Sequence, residues 1–334
     1  TPDPAIQQLV NKIKEKYDQE NAKVVVANSP VELNGNRENV RVRETNLGNV
    51  VADALYEYGQ TGFSHKTDLA VTNGGGLRET IAKGKPITKG DIIAVLPFGN
   101  TITQIKVTGQ NIADMFAKSL GSIVQEKDGK PVLDENGQPL LEPSGGFLQV
   151  SGAKVYYDTT LPADKRILGI EIKNPETGKY EKLNLAKTYY LTTNDFLAAG
   201  GDGYSMLGGA REEGPSMDVA FADYLAKTDL TAYAVVNPNS RTISISTAQY
   251  KKLQDQAANQ VKPNETGEKE LVPAVQTNTA QRTATIPVNV HKQFMPSSQK
   301  SLPETGTTDT TFISLLGFVV GLLGLSRFKK DHKE

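Results

Sequence analysis

The chain has 334 residues, with 37 Lys and Arg against 38 Asp and Glu, and this balanced charge argues against a nucleic-acid-binding protein. A hydrophobic content of 37% excludes a protein with many membrane spans, and the absence of Cys excludes disulfide bonds, thiolate metal sites and Cys nucleophiles. The three His residues are scattered singly, whereas a metal-dependent hydrolase needs clustered His and Asp ligands, so we expect no metal site in this chain.

The first predicted element is a helix at the start of the chain. Asp3 followed by Pro4 is typical of a helix N-terminus, and apolar residues then recur at helical spacing. This stripe indicates either an ordinary helix packed on a core or a tether to a domain further upstream. Residues 1–23 are accordingly predicted to be an interdomain linker helix. The apolar positions are Ile6, Leu9, Val10, Ile13 and Tyr17.

Residues 24–248 are predicted to form one domain. A second helix is expected to begin at Asn46 and to end at Gly59, because glycine commonly terminates helices. Strands are predicted over 22–27, 68–72, 101–107, 154–157, 167–172, 188–193 and 242–245, helices after Gly109 and over 219–226, and a surface hairpin between Gln125 and Gly146. Since helices and strands are mixed without a strict βαβ rhythm, we expect an α+β fold in which helices pack on a mixed sheet.

The C-terminal part of the sequence changes character. Residues 249–301 are rich in polar residues and Pro without a sustained apolar period, which predicts a disordered linker. Residues 310–326 carry no charge and as a helix would reach roughly 25 Å, barely enough to span a bilayer. Their apolarity on all faces, followed by a basic tail at 327–334, favours a membrane segment over a short buried helix. The pentapeptide Leu-Pro-Glu-Thr-Gly stands just before, at 302–306.

The pentapeptide, the uncharged segment and the basic tail together resemble the sorting signal of Gram-positive surface proteins. The resemblance implies that a sortase cuts between Thr305 and Gly306 and joins Thr305 to peptidoglycan, so the predicted location is extracellular, attached covalently to the cell wall after passage through the membrane. The sequence opens TPDPAIQQ, which is not a signal peptide. We therefore expect this chain to be the C-terminal part of a larger precursor.

Three glycine-containing segments carry residues suited to binding a nucleoside. Asn73 precedes three Gly residues, and Arg78 just after them could bind an anion, although a strained structural turn explains this segment equally well. Phe98 lies between Pro and Gly, where a loop would display it, although most aromatic residues belong to a core. Phe196 opens a second glycine-rich loop that contains Asp202. Two displayed aromatic rings and a carboxylate would provide stacking faces and an acceptor for ribose hydroxyls.

With the segment at 41–49, the order and spacing of these motifs closely resemble the C-terminal domain of the 5'-nucleotidase family, over roughly residues 24–248. The resemblance implies that Phe98 and Phe196 sandwich the base and that Asp202 accepts hydrogen bonds from the ribose hydroxyls. It further implies that Arg41 and Arg78 contact ribose and phosphate, with Asn73 and Asn100 lining the pocket.

The resemblance also implies what this chain lacks. In that family an N-terminal metallophosphatase domain carries two divalent metal ions, and none of its metal-binding signatures occurs here, so we expect neither a catalytic residue nor a cofactor in this chain. The implied whole protein is an extracellular hydrolase of nucleoside 5'-monophosphates such as AMP, and this part alone is expected to be inactive. Its expected partners are the nucleotide, the N-terminal domain of the same precursor, the sortase and peptidoglycan, and no nucleic acid.

Two alternatives remain open at this point. The first is a 2',3'-cyclic-nucleotide phosphodiesterase or nucleotide-sugar hydrolase of the same superfamily. A Phe at both stacking positions modestly favours a 5'-nucleotidase over this alternative. The second is a surface adhesion or nucleotide-binding module that lost catalysis. Metal ligands in the upstream region would distinguish the enzymes from this module.

Overall fold

A computed structural model of the protein describes residues 3–260. Its helices are α1 (Pro4–Asn21), α2 (Arg37–Val40), α3 (Asn46–Thr61), α4 (Lys89–Val95), α5 (Gly109–Ser119), α6 (Asp195–Ala198), α7 (Met217–Lys227) and α8 (Thr247–Asn259). Its strands are β1 (Val24–Val26), β2 (Leu69–Asn73), β3 (Ile87–Thr88), β4 (Thr101–Thr108), β5 (Glu126–Lys127), β6 (Lys130–Pro131), β7 (Leu148–Ser151), β8 (Ala153–Tyr157), β9 (Ile167–Lys173), β10 (Tyr180–Lys182), β11 (Thr188–Asn194), β12 (Arg211–Ser216) and β13 (Thr242–Ser244).

The main sheet has five strands in the order β12-β4-β11-β2-β7. Within it β11 runs parallel to β2, whereas the other neighbouring strands are antiparallel. A second sheet has the order β10-β9-β8-β13, with β13 parallel to β8, and two-stranded ladders join β1 to β3 and β5 to β6. Helices packed on sheets of mixed direction confirm the predicted α+β fold.

The main sheet separates two hydrophobic cores. In β2 the side chains alternate between its faces, so that Leu69 and Val71 belong to one core and Ala70 to the other. Helix α5 and the second sheet cover the first face, with Phe116 among the buried residues. Helices α3 and α7 cover the second face, with Phe221 buried there. Burial of each such large apolar side chain contributes about 1.5–3 kcal/mol, so both faces of the sheet stabilise the fold.

Helix α1 begins as predicted, because the Asp3 carboxylate accepts a hydrogen bond from the Ala5 N–H at 2.7 Å. Its apolar stripe, however, is not packed on a core, and Ile6, Leu9 and Val10 are all exposed. The contacts of the helix with α4 lie near its C-terminal end, where Lys89 Nζ pairs with Glu20 at 2.6 Å. The expectation of an ordinary packed helix was therefore wrong, and the alternative of a tether stays a prediction.

Helix α3 does not end at Gly59, contrary to the prediction. It continues to Thr61 and is capped by Gly62, whose N–H donates to the Tyr58 carbonyl at 2.8 Å. A Cβ atom at Gly59 would lie 2.1 Å from Thr67 Oγ1 and 2.7 Å from Thr192 Oγ1. The glycine is therefore required by the close approach of α3 to the sheet, not by a helix end.

The segment predicted to be a linker starts with regular structure. Helix α8 occupies residues up to Asn259, with its side chains outside the core. Tyr250 packs near Tyr156, at 5.1 Å between ring centroids. Regular structure therefore extends beyond residue 248, where the domain was predicted to end. The rest of that segment, the pentapeptide at 302–306, the uncharged segment at 310–326 and the tail at 327–334 lie outside the described residues.

Candidate functional site

The predicted site residues lie at or just beyond strand ends along one edge of the main sheet, Asn73 as the last residue of β2 and Phe196 in α6. We call this edge the site edge. Parallel strands β2 and β11 both end here, and the antiparallel partners of these strands begin here. The site edge is formed by Asn73, Thr101, Leu148, Asn194 and Ser216. Segments far apart in sequence therefore come together around one surface.

A chain of amides holds the predicted carboxylate at the site edge. Asn194 Nδ2 donates to Asn73 Oδ1 at 3.0 Å, and Asn73 Nδ2 donates to Asp202 Oδ2 at 3.1 Å. Asn194 is itself fixed, because its Oδ1 accepts from the Leu197 N–H at 2.8 Å and so caps α6. Asn73 and Asn194 are buried, so these bonds are shielded from water. Asn73 therefore positions Asp202.

The backbone around Asp202 has an uncommon conformation. Asp202 has φ of 55° and ψ of 20°, in the left-handed region that costs about 1–2 kcal/mol for most side chains. The neighbouring Gly201 lies against Phe196, since a Cβ atom there would be 2.6 Å from the phenyl ring. The glycines in this loop thus let the carboxylate and the aromatic ring stand side by side.

Both predicted stacking residues are displayed. Phe98 is 58% exposed and Phe196 is 43% exposed, so neither belongs to a core. Phe98 lies in the loop before β4 and Phe196 in α6, and the two segments are joined, because the Thr101 N–H at the start of β4 donates to Asp195 Oδ1 at 3.2 Å. Burying a phenyl ring would stabilise the fold by about 1.5–3 kcal/mol, and the exposed rings give up much of that. Two exposed rings on joined segments are typical of a ligand-binding surface.

Arg41 and Arg78 make the site electropositive. The Arg78 guanidinium lies 5.5 Å from the centroid of the Phe98 ring, and Arg78 Nη1 donates to the Gly75 carbonyl at 3.3 Å. Burial and the nearby charges of Arg37 and Arg78 lower the pKa of Arg41, whereas Asp202 raises it. Arg41 Nε is buried without a hydrogen-bond partner among residues 3–260. A guanidinium with unused donors is suited to an anion such as a phosphate.

Asn100 lines a recess beside the Phe98 ring. The loop is anchored to α7, because the Met217 N–H donates to the Asn100 carbonyl at 2.9 Å. The lining residues are Thr72, Gly76, Leu96, Phe98, Asn100, Asn194, Met217 and Asp218.

Two site residues escaped the sequence analysis. Asn194 caps α6, a short helix that the sequence does not predict, and the one available signal is its place two residues before Phe196. Asp218 lies just before the helix predicted over 219–226, where the sequence gives no signal of a ligand.

The described residues do not fit the two divalent metal ions that the family implies. No group of three or more His, Asp or Glu side chains in residues 3–260 could hold a metal ion. At the site the carboxylate of Asp202 is accompanied by the cations of Arg41 and Arg78, which repel a divalent cation. The chemistry that these residues offer is therefore the binding of an anion and of a flat, hydroxylated ligand.

Comparison with known protein families identifies the domain that contains these residues. Residues 25–209 match the 5'-nucleotidase C-terminal domain, and all seven predicted binding residues fall inside the match. The chain belongs to this family. Residues 295–334 match the LPXTG cell wall anchor motif, which indicates attachment to a Gram-positive cell wall. In the part of the chain that the structure covers, no helix combines the length and apolarity needed to cross a bilayer.

Individual relatives support the assignment. The chain is 34% identical to the trifunctional nucleotide phosphoesterase protein YfkN of Bacillus subtilis over 222 residues, which cover 66% of the chain and 13% of that protein. It is 31% identical to a snake venom 5'-nucleotidase of Naja atra over 240 residues, covering 67% and 41% of the two chains. A 5'-nucleotidase precursor from Thermus thermophilus superposes with a TM-score of 0.55 at 32% identity, covering 72% and 43%.

The chain thus spans between 13% and 43% of the length of these relatives. By name they are a nucleotide phosphoesterase and two 5'-nucleotidases.

Proposed function

We propose that this chain is the substrate-binding part of a 5'-nucleotidase anchored to the cell wall, and that it holds the nucleoside portion of extracellular nucleoside 5'-monophosphates such as AMP. In this proposal Phe98 and Phe196 sandwich the base. Asp202, oriented by Asn73, accepts hydrogen bonds from the ribose hydroxyls. Arg41 and Arg78 contact the ribose and phosphate, and Asn100 lines the pocket.

The observation that carries the proposal is the exposure of Phe98 and Phe196 on two joined segments, with the loop of Asp202 packed against Phe196. A base has two faces, and a pair of rings removes both from water. A ribose presents hydroxyl donors, which a carboxylate fixed by an amide is able to accept. The guanidinium groups of Arg41 and Arg78 supply the charge that a phosphate needs.

The hydrolytic step belongs, in this proposal, to a metallophosphatase domain of the same precursor. There two divalent metal ions would activate the attacking water, while this domain holds the nucleoside end. Family membership and the greater length of the relatives support this division. The C-terminal signal supports attachment through Thr305 after sortase cleavage before Gly306, which would keep the enzyme at the outer surface.

The test is nucleotide binding by the complete chain, measured by calorimetry. Base–aromatic stacking contributes about 1–3 kcal/mol, so Phe98→Ala and Phe196→Ala should each raise the Kd for AMP roughly 5- to 150-fold. Both rings are exposed, so the midpoint of thermal unfolding should change little.

A matched control is Ile123→Ala, which truncates a large apolar side chain that is exposed elsewhere on the surface. It should leave AMP binding unchanged. Native-like unfolding together with unaltered AMP affinity in both Phe variants would contradict the sandwich. AMP binding without hydrolysis by the precursor would instead favour the non-catalytic surface module.

A further inference from the structure

The recess beside Phe98 contains a carboxylate that the proposed contacts leave unused. Asp218 and Asn100 both line it, together with the ring of Phe98. A base stacked on Phe98 presents its edge, not its face, to groups beside the ring. The recess is therefore placed to contact the edge of the base, where the nucleobases differ from one another.

The structure holds Asp218 in place. It is the second residue of α7, directly after Met217, whose side chain is buried and whose N–H is bonded to the Asn100 carbonyl at 2.9 Å. The backbone N–H groups of Asp218 and Val219 favour the ionised form of its carboxyl. The start of α7 is therefore joined to the Asn100 loop by a backbone hydrogen bond.

The Asp218 carboxyl retains the capacity to accept further hydrogen bonds. Among residues 3–260 no side chain donates to it at hydrogen-bonding distance, and Lys89 interacts with it only through its charge. The Asp218 side chain is half-buried, and this partial removal from water raises the pKa of its carboxyl. A poorly solvated acceptor gains more from a ligand N–H than an exposed acceptor does.

We propose that Asp218 recognises an amino group on the edge of the nucleobase, and that it thereby makes the site selective for amino-bearing bases such as adenine. The inference rests on the proposed nucleoside site. An exocyclic amino group donates two N–H bonds, and a carboxylate only accepts, so the two are complementary. A base without the amino group would leave the recess with an unsatisfied carboxylate.

The experiment compares AMP with purine riboside 5'-monophosphate, which differs from AMP in lacking the 6-amino group. A hydrogen bond to a charged acceptor corresponds to roughly a 10- to 100-fold difference in Kd, so the complete chain should prefer AMP by about that factor. In Asp218→Ala this preference should fall to about twofold or less, with weaker AMP binding and little change for the analogue.

Asp223→Ala is the matched control, because it removes the same charge from an exposed position of the same helix. It should keep the full preference for AMP. Equal Kd values for AMP and the analogue in the unmodified chain would overturn the inference while leaving the proposed nucleoside site intact. This comparison uses only the unmodified chain, so it does not depend on the folding of a variant. If neither nucleotide binds, the proposed function fails together with the inference. Unchanged selectivity in Asp218→Ala would assign the preference to another residue and also overturn it.

Discussion

Asp202 shows how single residues build this site. Its backbone is left-handed, and Asn73 donates to its Oδ2. Left-handed backbone is tolerated best by Gly, Asn and Asp, so an amide can replace the carboxyl without a change of backbone. The substitution Asp202→Asn therefore separates the chemistry of the carboxylate from the shape of the loop.

We expect Asp202→Asn to weaken AMP binding about tenfold, because an amide offers one acceptor atom where an ionised carboxylate offers two. Binding of 2',3'-dideoxyAMP, which lacks the ribose hydroxyls, should weaken much less. Titration calorimetry of both ligands measures this difference. Asp128→Asn is the control, since Asp128 also has a positive φ, of 53°, but lies in the β5–β6 turn. An equal loss of affinity for both ligands would contradict the contact between Asp202 and the ribose hydroxyls.

At this scale the sequence pointed to Phe98 and Phe196 beside glycines, with a core position left open for Phe98, and to the carboxylate between glycines, because each has a local signature. It did not identify Asn194, whose contact with Asn73 depends on the parallel pairing of β2 with β11. Nor did it identify Asp218, since the position of α7 against the Asn100 loop is a tertiary contact. The residues that were missed are those that act through long-range packing.

Among the helices and strands, periodic segments were predictable and irregular ones were not. Strand β4 matches the prediction over 101–107 in its bounds, but its burial alternates only from Ile105 onward, because residues 102–105 are all buried inside the sheet. Strand β12 contains Gly and Pro and lies at a sheet edge, so its sequence carries no strand pattern. The apolar periodicity of α1 correctly predicts a helix, but it does not show whether another element packs on its apolar face. In both cases the deciding contact is made by another part of the chain, because β12 depends on its pairing with β4 and the exposure of α1 depends on what packs against it.

Gly59 provides the prediction at this scale. Replacing it by Ala should destabilise the fold by about 1–3 kcal/mol, because overpacking against Thr67 and Thr192 outweighs the gain of up to about 1 kcal/mol from helix propensity. Urea unfolding of the complete chain measures this change.

Gly208→Ala is the control for this substitution. Its backbone has φ of −62°, and a Cβ there would lie an ordinary 3.5 Å from the Ser205 carbonyl oxygen. Its stability should change by less than about 0.5 kcal/mol. A stabilised Gly59→Ala protein would show that α3 is free to move away from the sheet.

The whole molecule combines a folded domain with a C-terminal anchor motif. Replacing residues 302–306 by alanines should transfer the protein from the covalently bound wall fraction to the membrane or the medium, because the sortase would lose its cleavage site. Wall fractionation after boiling in detergent measures this distribution. Replacing residues 296–300 by alanines is the control and should leave the protein in the wall. Retention of the 302–306 variant through boiling would contradict the anchor.

The strand order of the main sheet also requires that the domain folds before it can bind a nucleotide. Strand β11 lies in its centre, yet its Leu191 pairs with Leu69 and with Ile105, far earlier in the chain. A chain synthesised only as far as β4 lacks the central strand of the main sheet, and it also lacks Phe196 and Asp202, which follow β11. Contacts between such distant segments form slowly, so binding can only follow folding. A bound nucleotide would therefore lengthen the lifetime of the finished domain without hastening its formation.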